Sequence, residues 1–588
     1  MLSLSRVFTS FLTVIGFSGL FTVPAQGQGL DLGQIRALLA TDHSPLLQAV
    51  EYQSLETSPS DGGGLRLRLL NLTYAGQDLD SLSFDVQAID KDRLAISNVE
   101  LPSTLTFSDG EQTYALGWDG LEIEGVFNTR DGAYEQLMVG AQSMSLVSAD
   151  ASVNVTLGSF SSAQVFDPAE KTLTSQIDGG DLTISIQDHN TLVTGHTPSF
   201  FMRGVDTGFT EGENPLSQLR ENLNYSLASL RGTTPEQWSE SLIIADKSSG
   251  TVQIEPLKMT VFDGIDEVSI NLGRIVGVIS FDQVQTPQEA SGHMTLAMQG
   301  LDVTHPEIDG ALFSIGELAT SSIFDQADFS ALSPINSTAL YSHTPGTYGS
   351  LGDMISALGV LESRLSLRDM RYSIPGTGFK GGVEEFVLTS AGDMTGADGM
   401  FSAGFSFSGL DLGVLVTGLL GDLLPTQADF TLSLAKIDVE GFKALLSAAQ
   451  RSGSISDETV VERDVLAMFP ALRAWWNASA MTLSPSLDLQ TPLSALILGG
   501  DLTLDPASTF GITGTLDARL EGFDTLQARI SQAASSSNPQ DQQIGASLLL
   551  PFGLISGFAD VEDDGSLELS LDLDSDGNIT VNGLPLPF

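Results

Sequence analysis

The residues best placed to do chemistry lie near the C-terminus, where Asp572, Asp574 and Asp576 alternate with other residues and Gly577 follows. That spacing matches the first half of a calcium loop, which needs side-chain oxygens at positions 1, 3 and 5 and a glycine at 6. At position 12, where a bidentate carboxylate is required, Gly583 stands instead. The same letters also read as a turn: Asp576-Gly577 supplies two residues that tolerate positive φ between two alternating stretches. The turn is the preferred reading, and weak Ca²⁺ binding at Asp574 and Asp576, with Asp563-Asp564 nearby, is its chemical alternative.

Other chemical constellations are sparser. Of the six histidines, His189 and His196 lie closest together, with Asp188 and Asp181 nearby, as a metal or acid–base cluster would need. They lack the i, i+4 spacing of a helical metal site, so solvated loop histidines are the simpler reading. Glu122 with Glu124, or Glu384 with Glu385, would make a glycosidase-type carboxylate pair only if their spacing in space were right. Trp475-Trp476 suits sugar stacking but sits in an apolar-periodic stretch, which favours core packing. The segment Gly404-Phe-Ser406-Phe-Ser408-Gly409 has the wrong spacing for a nucleophile elbow. No His-Glu-x-x-His or P-loop pattern occurs, and the chain has no cysteine, so thiol chemistry and disulfides are excluded.

Composition narrows the class further. With 588 residues, 41% hydrophobic and 17% charged, the chain is long enough for two or three domains and too apolar to be wholly disordered. Its 74 acidic and 25 basic residues leave a net charge of −49, which repels phosphate backbones and argues against nucleic-acid binding. Residues 1–25 read as a secretory signal: Arg6, an apolar run, then Val23-Pro24-Ala25 with small residues for cleavage after Ala25. An uncleaved N-terminal anchor is the alternative. A large exported protein without cysteine is expected in a bacterial periplasm. No later segment reads as transmembrane; 544–559 comes closest, but its glycines and Pro551 point to a buried helix or strand pair.

The elements that must position these residues are mostly strands. From residue 65 to 186 apolar residues alternate, punctuated by Asp109-Gly110, Asp119-Gly120, Asp131-Gly132 and Asp178-Gly179-Gly180, which predicts an antiparallel meander. Asn214-Pro215 and Thr234-Pro235-Glu236-Gln237 predict the starts of a helical pair near 214–245. Strands resume over 251–302, and a Ser/Pro/Thr-rich stretch places a domain boundary near 333–347. The C-terminal half repeats a unit in which an alternating strand closes on an Asp placed to cap a following helix, at Asp411, Asp438 and Asp524. Residues 565–588 read as a closing hairpin whose leucine face the preceding helices cover.

Those strand–Leu-Asp–helix units, followed by Asp576-Gly577-Asn578-Ile579-Thr580-Val581-Asn582-Gly583-Leu584-Pro585-Leu586, resemble exported alphaproteobacterial proteins of a domain-of-unknown-function family. The resemblance covers residues 401–588. More distantly, the chain is similar to large envelope proteins of the AsmA type, and that likeness implies long curled sheets that handle lipids. It implies no catalytic residue.

The expectation is a mainly β protein, with long curved antiparallel sheets and a few amphipathic helices packed on them. A signal peptide (1–25) is expected to precede a β-rich domain (26–335) and a domain of strand–helix modules (348–588). The expected function is that of a non-enzymatic cell-envelope protein with an apolar groove for a lipid or partner, without a cofactor. A calcium-stabilised acidic surface protein and a carboxylate-dependent hydrolase are the alternatives.

Overall fold

The computed structural model describes residues 50–61, 63–74, 77–108, 112–130, 133–188, 190–209, 245–284, 286, 289–306, 311–327, 359–374, 379–413, 417–442, 475 and 480–585. The expected signal peptide, the helical pair near 214–245 and the boundary near 333–347 lie outside these residues. The described chain is mostly antiparallel strand with few helices, as the alternation predicted. It divides into two compact units, one up to Thr286 and one from there on.

In the first unit, period-2 alternation becomes a closed core. Along Val153–Asp167, Val155 and Leu157 are buried while Asn154 and Thr156 are exposed, because successive side chains point to opposite faces. This strand is a branch point. One edge pairs with Ser143–Ser148 (Met144 opposite Leu157) and further along with Ala133–Ala141 (Phe160 opposite Ala141). The first branch continues to Thr113–Asp119 and Thr104–Ser108, and the second to Glu122–Asn128, Arg93–Glu100, Gln77–Ala88 and Leu65–Tyr74. Leu67, Phe84, Leu94, Leu116, Leu146 and Leu157, drawn from both branches, fill one continuous cluster. Each such burial contributes about 1.5–3 kcal/mol.

Two of the expected turns take other forms. Asp119-Gly120, with Gly120 at φ 58°, joins strands that belong to different branches and do not pair with each other, so it turns a corner of the core. Asp178-Gly179-Gly180 is no turn; it runs through the middle of Thr172–Asp188. The reason is steric. A Cβ on Gly179 would lie 2.3 Å from the Phe200 ring of the neighbouring strand, so glycine there makes room for an aromatic cover.

Just beyond, pairing breaks along one row across neighbouring strands. The row holds Gly158, Asp181, Pro198 and Glu255-Pro256, and the pairs on either side of it are regular. Asp181 adopts φ 52°, a left-handed conformation that bends a strand, and a Cβ on Gly158 would lie 2.9 Å from its Cβ. The break is bridged by the buried Thr197, whose hydroxyl donates to the Glu255 carbonyl at 2.8 Å.

The second unit repeats the device. Gly300 (φ 85°), Gly316, Asp369 (φ 51°), Glu384 and Gly409 (φ 63°) occupy one interrupted row, and a Cβ on Gly316 would again lie 2.9 Å from the Asp369 Cβ. Its described helices are α1 (Leu419–Leu423), α2 (Phe523–Ala534) and α3 (Pro539–Phe558). They pack on one another through Leu419, Leu526, Ile530 and Ile544, with Phe523 stacked on Phe552 at 6.1 Å. They emerge at one end of the sheet, beside the row formed by Ser408, Gln427, Gln490, Ala495 and Glu521.

Of the three expected aspartate caps, one forms. Asp438 accepts from the Gly441 N–H at 3.1 Å. Asp411 instead accepts from Gly413, and α1 is capped from α3, where Asp541 accepts from the Leu419 N–H at 3.0 Å. Asp524 lies inside the first turn of α2, after Gly522 at φ 74°. A Cβ on Gly522 would lie 2.5 Å from the Leu493 carbonyl, so the close approach leaves no room for a capping side chain. Residues 544–559, expected as a buried helix or strand pair, fall largely in α3, which exposes Leu550. Among the described residues no helix is long and apolar enough to cross a membrane.

Candidate functional site

The site is assembled by register. In the second unit ten strands pair in sequence order: Ala290–Thr304, Ala311–Ala327, Val360–Ile374, Phe379–Asp393, Asp398–Ser408, Gln427–Asp438, Thr482–Gln490, Ala495–Leu504, Ile512–Glu521 and Leu567–Leu573. One row across them reads Met298, Leu318, Leu367, Phe386, Phe407, Ala428, Leu489, Leu496, Leu520 and Leu567. Two residues along each strand, on the same face, the next row reads Leu296, Thr320, Leu365, Leu388, Phe405, Phe430, Leu487, Leu498, Ala518 and Leu569. Beyond a row with Ser322, Ser363 and Ser390 at one end and Ala403, Leu432 and Pro485 at the other, Phe401, Leu434, Leu483 and Leu502 follow, and there Leu434 packs on the buried cluster of Ile437, Met481 and Leu504.

The opposite face carries the sheet's charges. Between those two rows lie Ser366, Ser406, Asp429, Asp488, Arg519 and Glu568, with Ala297, Ala319, Val387 and Ile497 among them, so this face is mixed. On it Arg368 is held by cross-strand acids, 3.1 Å from Glu385 and 3.3 Å from Glu317.

The apolar face is not a core. Met294 is 45% exposed, Leu388 40% and Phe405 39%, and most of its other leucines and phenylalanines are only partly buried. Phe405 and Phe430 contact each other at 5.5 Å; α1, α2 and α3 gather at one end of the sheet, and Phe442 and Trp475 pack near Leu434 at the other. A contiguous apolar surface of this kind marks a binding site, because leaving it in water forgoes about 25 cal/mol per Å².

A cleft of about 370 Å³ lies in the same sheet at the interrupted row. Strand Asp398–Ser408 ends there, and the chain returns through a single bridge in which Gly382 and Asp411 exchange backbone hydrogen bonds at 2.8 and 2.9 Å. Arg371, Lys380, Glu384 and Asp411 line the cleft with Tyr372 and Ser314.

The residues singled out from sequence fall elsewhere. Asp574 belongs to the closing hairpin, where Leu571 pairs with Val581 and Leu573 with Ile579. Its Oδ1 accepts from the N–H groups of Asp576 and Asn578 at 2.9 and 2.8 Å, and its Oδ2 from the Asn578 side chain at 2.7 Å. Those bonds, the Asn578 side chain first, hold its carboxyl below the usual range. Asp576 contributes its backbone to the same turn, and Asp564 is bonded to Ser566. Among the described residues no group of three or more acids and histidines is arranged to hold a metal.

His196 lies 3.8 Å from Asp181, and His189 is outside the described residues. Glu384 and Glu385, as strand neighbours, point to opposite faces, and Glu385 is engaged by Arg368. Glu122 and Glu124 share one exposed face of their strand. Trp475 packs on Phe442 at 5.7 Å and donates to the Asp438 carbonyl at 3.2 Å, a structural role.

Arg371 and Lys380 were missed. The available signal was the crowding of Arg364, Arg368 and Arg371 in one strand of a chain with 25 basic residues. No protein-family model matches this chain, and no curated protein matches it either.

Proposed function

We propose that this protein is a non-enzymatic, exported cell-envelope protein that holds lipid against the apolar face of its second unit. The observation that carries the reading is the run of two apolar rows across ten strands, partly exposed and backed by a face that carries the sheet's charges. Alkyl chains suit such a surface because they bury area without leaving a polar group unpaired. The closed core of the first unit takes no part in this; lipid binding belongs to the sheet whose inner residues remain open. Export rests on residues 1–25, and the resemblance to AsmA-type envelope proteins points the same way.

Of the carboxylates behind the competing readings, Asp574 is engaged within its own turn and Glu385 with Arg368, which separates the Glu384–Glu385 pair. Native mass spectrometry of protein purified without detergent tests the proposal. Adducts of lipid mass that leave on activation are expected, and a single bare protein mass would overturn it.

A further inference from the structure

The apolar face accounts for chains but not for a headgroup, and the cleft in the same sheet supplies what a headgroup needs. It is lined by two cations, Arg371 and Lys380, and two carboxylates, Glu384 and Asp411. That balance departs from a chain with 74 acids and 25 bases. Arg368 and Arg519 on the opposite face are tied to acids within 3.3 Å, whereas Arg371 and Lys380, like Arg364, form no ion pair among the described residues. All four charged side chains of the cleft are exposed.

Position adds to composition. Glu384 and Gly382 precede Phe386 on one strand, and Arg371 follows Leu367 on its neighbour. At about 3.3 Å per residue, the cleft's charges lie roughly 7–20 Å along the strands from the apolar row, Glu384 nearest and Lys380 farthest, within the reach of one amphiphile. A volume of about 370 Å³ suits a headgroup and not its chains.

We infer that the cleft takes the headgroup of a phospholipid carrying both a phosphate and a primary amine, with its acyl chains on the apolar face. Arg371 and Lys380 meet the phosphate, as guanidinium and ammonium groups do. Glu384 and Asp411 meet the ammonium. A purely anionic headgroup would leave both carboxylates facing a like charge. Asp411 keeps its place because one carboxylate oxygen accepts from the Gly413 N–H at 2.7 Å. This inference rests on the apolar-face reading.

The test is a competition. The full-length mature protein is incubated with mixed micelles holding equal dioleoyl phosphatidylethanolamine, dioleoyl phosphatidylglycerol and dioleoylglycerol, repurified, and its bound lipid quantified by mass spectrometry. Phosphatidylethanolamine is expected to exceed phosphatidylglycerol by about tenfold, the ratio that one mispaired charged group produces, with dioleoylglycerol lowest. Arg371→Ala with Lys380→Ala should bring both phospholipids down to the dioleoylglycerol level. Glu384→Gln with Asp411→Asn should raise phosphatidylglycerol to match phosphatidylethanolamine. Equal retention of the two phospholipids by the unaltered protein overturns the inference without recourse to any variant. Lipid retained without preference leaves the apolar-face reading standing, whereas no retained lipid of any kind removes both.

Discussion

At the scale of single residues, steric and electrostatic constraints each make a prediction. Gly179 stands mid-strand because the Phe200 ring occupies the space a side chain would take. Gly179→Ala is therefore expected to destabilise the first unit by about 1–3 kcal/mol, read from its urea midpoint. Adding Phe200→Ala should recover part of that loss. Asp150 is pulled down to about 2 by the Ser152 N–H and by the Ser148 and Ser152 hydroxyls. A depressed carboxyl stabilises the fold above its ordinary value near 3.9, and the benefit is lost as pH falls towards 2. Asp150→Asn should flatten the melting temperature across that acid window.

Asp206 behaves in the opposite sense. Burial raises its carboxyl despite a 2.6 Å bond from the Ser248 hydroxyl. Here the folded state holds its proton more tightly, so stability present below the ordinary value is lost as pH rises through the raised one. Asp206→Asn should raise the melting temperature at pH 7, and a lower one would contradict the assignment.

At the scale of elements, the strands were legible and several of their ends were not. Alternation in Val153–Asp167 or Leu567–Leu573 reports the buried face directly, because period 2 is a property of the strand itself. The caps at Asp411 and Asp524 were misread because capping depends on what lies close in space. Asp541 comes from 122 residues further along the chain to cap α1, and Leu493 crowds the start of α2. The interrupted rows were equally hidden. Asp181 and Asp369 look like ordinary strand residues until their opposite glycines, Gly158 and Gly316, are placed beside them. A left-handed conformation costs a β-branched residue more than Asp, so Asp369→Val should destabilise the second unit by about 1–2 kcal/mol. Asp369→Gly should be nearly neutral in the same denaturation measurement.

At the scale of the whole molecule, the decisive property lies in no segment of the sequence. Each strand of the second unit alternates on its own, but only register aligns Leu367, Phe386, Phe407, Leu489 and Leu496 into a single apolar row. The cleft was unreadable for the same reason: Arg371 and Asp411 are 40 residues apart and meet only where strand Asp398–Ser408 stops. The net charge of −49, by contrast, was visible at once and acts on the molecule as a whole. Self-repulsion on that scale outweighs the few exposed ion pairs, so the melting temperature should rise between low salt and 1 M NaCl.

The central claim, that one face of the second unit's sheet meets lipid and the other does not, can be tested with a photocrosslinking amino acid introduced separately at Leu388 and at Thr389. These neighbours point to opposite faces of one strand. After irradiation with phospholipid vesicles, mass spectrometry should find lipid covalently attached at position 388 and none at 389. Equal attachment at both positions, or attachment at neither in a folded protein, would contradict the account.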